Sequence, residues 1–329
     1  MKVTSKVLSS LGLKIGHYTD STNLTGTTVF ISDNPMTVGI DLRGSNPATF
    51  NVASRQPKLT GSQVNSIVLT GGSTFGLGTC IGVLKQLEAI GVGSKTRAAI
   101  IPGVIGAVIY DLAVGSSNIR PGQEEGIKAV KDATYNSLVQ GNIGVGTGAT
   151  TGKWFNGVKI KGGFGMAYSK ILNDIIVSAF VVTNAVGDIV NPKNGKFYAE
   201  SGNYNASKNF QNIEDKELTG LIDIGPTNTT LAVIATNIEL NREQLMKVSE
   251  IANDGMARAI YPVHTMMDGD AIFSVSTGSQ QILKPELIYT TIVDIIGTTA
   301  ADVLQEAIKN SVLNAESVEG YQSYKDKYK

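Results

Sequence analysis

The chain has 329 residues, 42% of them apolar, enough to bury about three quarters of its unfolded surface. Lys plus Arg (28) balances Asp plus Glu (28) and charged residues are only 17%, which excludes the electrostatic footprint of a nucleic-acid binder and gives no attraction to a membrane. One cysteine, Cys80, excludes an intramolecular disulfide and a cysteine metal cluster, and two histidines, His17 and His264, are too few for a His-rich zinc site.

Lys2 and Lys6 imitate the charged end of a signal, but Ser9, Ser10, Gly12, Lys14 and Gly16 interrupt any apolar core behind them, and no apolar run reaches about 18 residues. The expectation is a cytoplasmic protein. No Pro- or Ser-rich linker divides residues 1–329, so one domain is expected. The 37 glycines accompany a high apolar fraction and therefore suggest tight turns rather than disorder.

Thr27–Ile31 and Met36–Asp41 are β-rich and flank the turn cluster Ser32-Asp33-Asn34-Pro35, which predicts a hairpin. Ile67–Thr70 is a short buried strand running into Gly71-Gly72-Ser73. From Thr74 to Ile90 the apolar positions Phe75, Leu77, Ile81, Leu84, Leu87 and Ile90 have helical spacing, with Gly91 as the stop. Residues 98–112 give two short strands ending near Tyr110-Asp111, and 123–136 is a weaker helix. Gly141–Gly152 is too glycine-rich for a stable helix, whereas Ile175–Val182 is a continuous apolar run suited to a central strand. Residues 191–228 turn polar and Asn-rich, with an apolar stretch at 218–224. A strand at 231–236, a helix at 242–260, a strand at 271–275, a helix from Pro285 toward Ile308 and a frayed tail at 315–329 complete the chain. Hairpins and helices mix without regular alternation, which points to layered α+β rather than a doubly wound sheet.

Gly144-Val145-Gly146-Thr147-Gly148-Ala149 satisfies a dinucleotide fingerprint but has no strand-turn-helix unit around it. Gly148-Ala149-Thr150-Thr151-Gly152-Lys153 falls short of a phosphate loop by one residue between its glycines and by Trp154 in place of Ser or Thr. Lys153 is therefore either carried outward by a turn or faces a pocket where it stabilises negative charge. Asp268 and Asp270 lack the further oxygens of a calcium loop. On alternate residues of an extended segment they face opposite ways unless Gly269 bends it; with a bend both serve one site as a coupled pair.

At Pro226-Thr227-Asn228-Thr229-Thr230 a polar segment meets the apolar run Leu231–Ala235. A cut before Thr229 would free an α-amino group, reference pKa about 8, able to act as base for the threonine's own hydroxyl. The bland alternative is a turn before a strand.

Asn228 followed by Thr229–Asn237 resembles the processing site of the self-cleaving aminopeptidases and amidases, a family that includes β-peptide aminopeptidases, D-aminopeptidase and endo-type nylon-oligomer (6-aminohexanoate) hydrolases. Val38–Gly44, Leu69–Ser73, Val108–Leu112, Gly141–Ala149, Asn184–Asp188 and Pro262–Thr265 agree with the family in order. The resemblance implies a four-layer αββα sandwich, like N-terminal-nucleophile hydrolases but connected differently, cleavage into chains 1–228 and 229–329, and a homotetramer. It assigns Thr229 as nucleophile, Asn228 to the leaving side of the cut, and Tyr110, Lys153 and Asn184 to the pocket. Asp268 and Asp270 match the carboxylates of the nylon-oligomer branch, where the aminopeptidase branch resembles Ser and Glu. The implied activity is hydrolysis of linear or cyclic amide oligomers without metal or cofactor. The alternatives are an aminopeptidase on short or β-peptides and a self-cleaving acyltransferase of the ornithine acetyltransferase kind.

Overall fold

The computed structural model describes residues 2–154, 157–171, 174–201, 228–280 and 291–328. The expected apolar stretch at 218–224 and helix start at Pro285 lie outside the described residues. In chain order the principal elements are α1 (Ser5–Leu11), β1 (Lys14–Asp20), β2 (Thr25–Leu42), β3 (Gln63–Thr70), α2 (Gly78–Ala89), β4 (Val104–Val108), α3 (Gln123–Asp132), β5 (Gly163–Ile171), β6 (Ile175–Asn184), β7 (Thr229–Ile238), α4 (Arg242–Ala259), β8 (Ala271–Gln280) and α5 (Val293–Leu313).

The expected hairpin within 27–41 does not form. β2 runs through it as one strand of 18 residues, and its pairing with β3 shifts register between Ile31 and Met36. Asp33, Asn34 and Pro35 are exposed at that irregularity, where the missing N–H of proline leaves no ladder bond unmade. The hairpin lies one strand earlier, between β1 and the first half of β2, with Lys14 opposite Ile31 and Asp20 opposite Thr25.

β2 thereby joins the two halves of one nine-stranded sheet, which pack face to face as two layers. Its first half pairs with β1 and β3, and β3 pairs with β4 in parallel; its second half pairs antiparallel with β8, which continues through β7 and β6 to β5. Strand alternation then sorts the side chains into separate cores. Ile67, Leu69, Ile105 and Phe30 of one half meet Phe180, Val182, Leu231, Val233 and Phe273 of the other. On the outer faces, Val29, Val68 and Val104 pack with Cys80, Val83 and Leu87 of α2 and Ala129 of α3. Val181, Ala232, Ile234 and Ile272 pack with Leu245, Val248 and Met256 of α4 and Ile296, Ala300 and Leu304 of α5. Three apolar interfaces between helix, sheet, sheet and helix make the four-layer αββα sandwich.

Phe30 ties the layers together, its ring 5.3 Å from Phe180 and 6.3 Å from Phe164 across the middle core. α4 and α5 approach closely because Gly255 has no side chain; a Cβ there would lie 2.0 Å from the Ala301 carbonyl. The carboxyl-terminal tail is docked rather than frayed. Tyr324 stacks at 4.6 Å on Phe197, and the Gln322 carbonyl accepts a 2.8 Å hydrogen bond from Lys161 N–H. Aromatic burial in a polar segment holds it, a contact with no periodicity to reveal it. Among the described residues no helix is long and apolar enough to cross a membrane.

Candidate active site

β6 and β7 are antiparallel and β7 and β8 parallel, so the end of β6 and the starts of β7 and β8 share one end of the sheet. Asn184 stands opposite Thr229 in the ladder. Asn228 bridges Asp268 one residue earlier, which brings the segment 268–270 alongside 228–230. The loop after β4 reaches the same end, where the Tyr110 carbonyl accepts a 3.1 Å bond from Asn184 Nδ2.

Thr229 opens β7 nearly buried, at 7% exposure, and its hydroxyl hydrogen-bonds the carbonyl of Asn228. Gly269 N–H donates to the same carbonyl at 2.9 Å. The Asn228 carbonyl is thus polarised by a fixed backbone donor while its neighbour's hydroxyl lies against it. A Cβ at residue 269 would lie 2.9 Å from Thr229 Oγ and 2.8 Å from the Asn46 carbonyl, so the position accepts only glycine without displacement.

Both carboxylates bracket this segment. Asp270 Oδ1 accepts from Thr230 N–H at 2.7 Å, and its Oδ2 takes His264 N–H at 3.1 Å and stands 2.9 Å from His264 Nδ1. Asp268 Oδ2 accepts from the Thr265 hydroxyl at 2.6 Å, and Oδ1 from Val186 N–H at 3.3 Å. Burial, with the charge of Asp270 adding, lifts the Asp268 carboxyl to about 6 despite these donors.

Lys153 is turned inward rather than carried outward by the turn. Its Nζ donates to Asn184 Oδ1 at 3.1 Å, and Thr150 N–H donates to the same oxygen at 3.0 Å. Two donors on Oδ1 and the Tyr110 carbonyl on Nδ2 fix the orientation of the Asn184 carboxamide. Burial draws the Lys153 ammonium down to about 7, against the pull of Asp268 and with Lys159 adding. Tyr110 is half-buried and meets Asn184 through its backbone.

Asn228, Thr229, Asp268, Asp270, Lys153, Asn184 and the Tyr110 backbone therefore gather at one sheet end. Sequence patterning does not by itself reveal the groups that hold the carboxylates, which are His264, Thr265 and the N–H groups of Thr230 and Val186, nor that Gly269 N–H serves the Asn228 carbonyl. His264 and Thr265 sit within Pro262–Thr265, and Gly269 sits between the two aspartates, so each has a local signal. The loop 43–46, only the start of which falls within Val38–Gly44, also meets them: the Asp270 carbonyl accepts from Arg43 N–H at 3.0 Å and the Asp268 carbonyl from Asn46 N–H at 3.1 Å.

A hydroxyl held on a polarised carbonyl beside paired carboxylates and an ammonium is the equipment of acyl transfer, and the sandwich around it is the architecture of N-terminal-nucleophile hydrolases. The solved structures it resembles share that architecture: a Burkholderia sp. β-aminopeptidase (TM-score 0.68, 16% identity, covering 95% of this chain and 87% of that one) and the L-aminopeptidase D-Ala-esterase/amidase of Ochrobactrum anthropi (TM-score 0.70, 19% identity, covering 96% and 88%). Peptidase family S58 matches residues 10–325, and the chain belongs to that family. It is a hydrolase acting on peptide or amide bonds. Among its relatives, an uncharacterized aminopeptidase of Mycobacterium tuberculosis is 32% identical over 344 residues, covering 96% of each chain. A 6-aminohexanoate-oligomer endohydrolase of Kocuria sp. is 32% identical over 227 residues, covering 65% of this chain and 60% of the relative.

Proposed function

We propose that this protein is an autoprocessed amidase that cleaves itself between Asn228 and Thr229 and then uses Thr229 as its N-terminal nucleophile. The observation that carries the reading is the Asn228 carbonyl, which receives Gly269 N–H while the Thr229 hydroxyl rests against it. Thr229 Oγ adds to that carbonyl carbon, the bond to the Thr229 nitrogen breaks, and the nitrogen takes up the hydroxyl proton as a free amine. Water then hydrolyses the ester, leaving chains of residues 1–228 and 229–329. In the mature enzyme the Thr229 amine takes the hydroxyl proton, Oγ attacks a substrate amide, the leaving amine departs protonated, and water releases the acyl group. Asp268 and Asp270 hold the nucleophile's segment. Asn184 Nδ2 and the Tyr110 hydroxyl, rather than the Tyr110 carbonyl, donate to the tetrahedral intermediate, and Lys153 balances the carboxylate charge.

The substrate class is linear or cyclic amide oligomers such as those of 6-aminohexanoate, supported by the Kocuria relative and by the set Thr229, Asp268 and Asp270. A second reading, an aminopeptidase on short or β-peptides, is favoured by the fuller coverage of the mycobacterial relative. Tetrameric assembly and a cytoplasmic location complete the proposal. Gel analysis with N-terminal sequencing tests the cut: the smaller fragment begins Thr-Thr-Leu-Ala-Val, and an intact chain that is fully active would falsify the mechanism. Amine release from 6-aminohexanoate oligomers, β-peptides and N-terminal peptides, alongside acetyl-ornithine plus glutamate, separates the amidase from the aminopeptidase and from a transferase. Light scattering tests the tetramer.

A further inference from the structure

Behind the site lies a buried cation that none of these steps uses. Lys161 ends the short strand Ile160–Lys161 and is 0% exposed. Its Nζ donates to the carbonyls of Gly146 and Ala149 at 2.8 Å each and of Gly162 at 2.9 Å. An ammonium has three N–H donors, and here each meets a carbonyl. Asp111, the carboxylate nearest in electrostatic effect, turns its own oxygens to Thr25 Oγ and Gly72 N–H, both at 2.7 Å. A buried charge satisfied by neutral carbonyls is costly and invites a reason for its placement.

The Ala149 carbonyl belongs to the same peptide unit as the Thr150 N–H. That N–H is the donor 3.0 Å from Asn184 Oδ1, the oxygen that also receives Lys153. A cation on the oxygen of a planar peptide fixes the plane and strengthens its N–H as a donor. The chain of contacts runs from Lys161 through one peptide to the Asn184 carboxamide, the ladder partner of Thr229.

We propose that Lys161 is a positioning residue of the hydrolytic site: it orients and polarises the Ala149–Thr150 peptide, whose N–H sets the Asn184 carboxamide beside Thr229. The role rests on the reading that Thr229 and Asn184 serve the reaction. The rival is a clamp on the glycine-rich loop with no bearing on chemistry.

The test uses the full chain with Lys161→Gln, which keeps a shorter neutral donor, and Lys161→Arg, which keeps the charge. In Lys161→Gln, kcat falls about 10–100-fold at nearly constant KM, the size associated with loss of an outer partner that orients a reacting group. Lys161→Arg recovers part of the loss. In an Asn184→Ala background, Lys161→Gln costs little more, because the path is already cut. With nitrogen-15 threonine labelling, the Thr150 amide proton moves upfield and exchanges faster in Lys161→Gln. An unchanged kcat per folded molecule, or losses that simply multiply, overturns the proposal. Should neither variant fold, the wild type still tests it: a Thr150 amide exchanging as fast as exposed threonine amides overturns it. Full activity in Thr229→Ala and Asn184→Ala instead sinks the underlying reading, so the two failures stay distinct.

Discussion

Lys153 and Lys161 reach the same oxygen of Asn184 by different routes. Lys153 is half-buried and meets the side-chain oxygen directly, within the field of Asp268. Lys161 is fully buried and meets backbone carbonyls alone, one of them on the peptide whose N–H reaches the same oxygen. Burial draws both ammonium groups down to about 7; at Lys161 the pull of Asp111 opposes it and Lys153 adds to it. Desolvation of the two lysines therefore serves different ends. A cation beside carboxylates can answer charge that develops during reaction, whereas one bonded to carbonyls holds a frame.

The largest expected effect sets the floor for the comparison. Thr229→Ala leaves an uncut chain on a denaturing gel and lowers amidase activity by about 10⁴-fold or more, since the nucleophile is gone. Against that floor, Lys153→Met lowers kcat by about 10²–10³-fold while the melting temperature holds or rises, because a desolvated charge has been removed. A large fall in stability with normal kcat would assign Lys153 to the frame instead. Phe30→Ala supplies the contrast of a residue that only packs: it costs about 3–5 kcal/mol in denaturant unfolding, with kcat per folded molecule unchanged.

The smallest effect is the dependence of stability on pH. Between pH 7 and the ordinary lysine value of 10.5, the unfolded chain binds protons that the native Lys153 and Lys161 have released. Stability therefore rises with pH across that window. Burial lifts Asp268 and Asp188 to about 6 from 3.8, so between these values the native state holds extra protons and stability falls as pH rises. Melting temperatures measured across pH at fixed salt should pass through a minimum between about 6 and 7. Lys153→Met should remove roughly half of the alkaline rise; no change in that limb would mean that Lys161 alone carries it.

Much of this site was legible one segment at a time. Thr229 at the head of an apolar run, the pair Asp268 and Asp270 around Gly269, and Asn184 at the end of a continuous β run each had a pattern, because strand ends are written in local composition. Lys161 had none. In Lys159-Ile160-Lys161-Gly162-Gly163 it reads as a surface charge, and only the fold encloses it. The hairpin expected around Ser32–Pro35 misled because turn residues also suit an irregularity within a long strand, and the choice depends on what pairs on either side. The tail at 315–328 misled because a few buried aromatics, rather than periodicity, dock it.

By itself the sequence determined which faces of the strands and helices are apolar, and where a threonine could open a strand, since period and composition are properties of the chain alone. Tertiary structure decided that β2 joins the two packed halves of one sheet, that Gly269 N–H meets the Asn228 carbonyl beside the Thr229 hydroxyl, and that Lys161 sits behind Asn184. These contacts join segments far apart in sequence, and hydrogen-bond geometry between such segments exists only once the layers have packed.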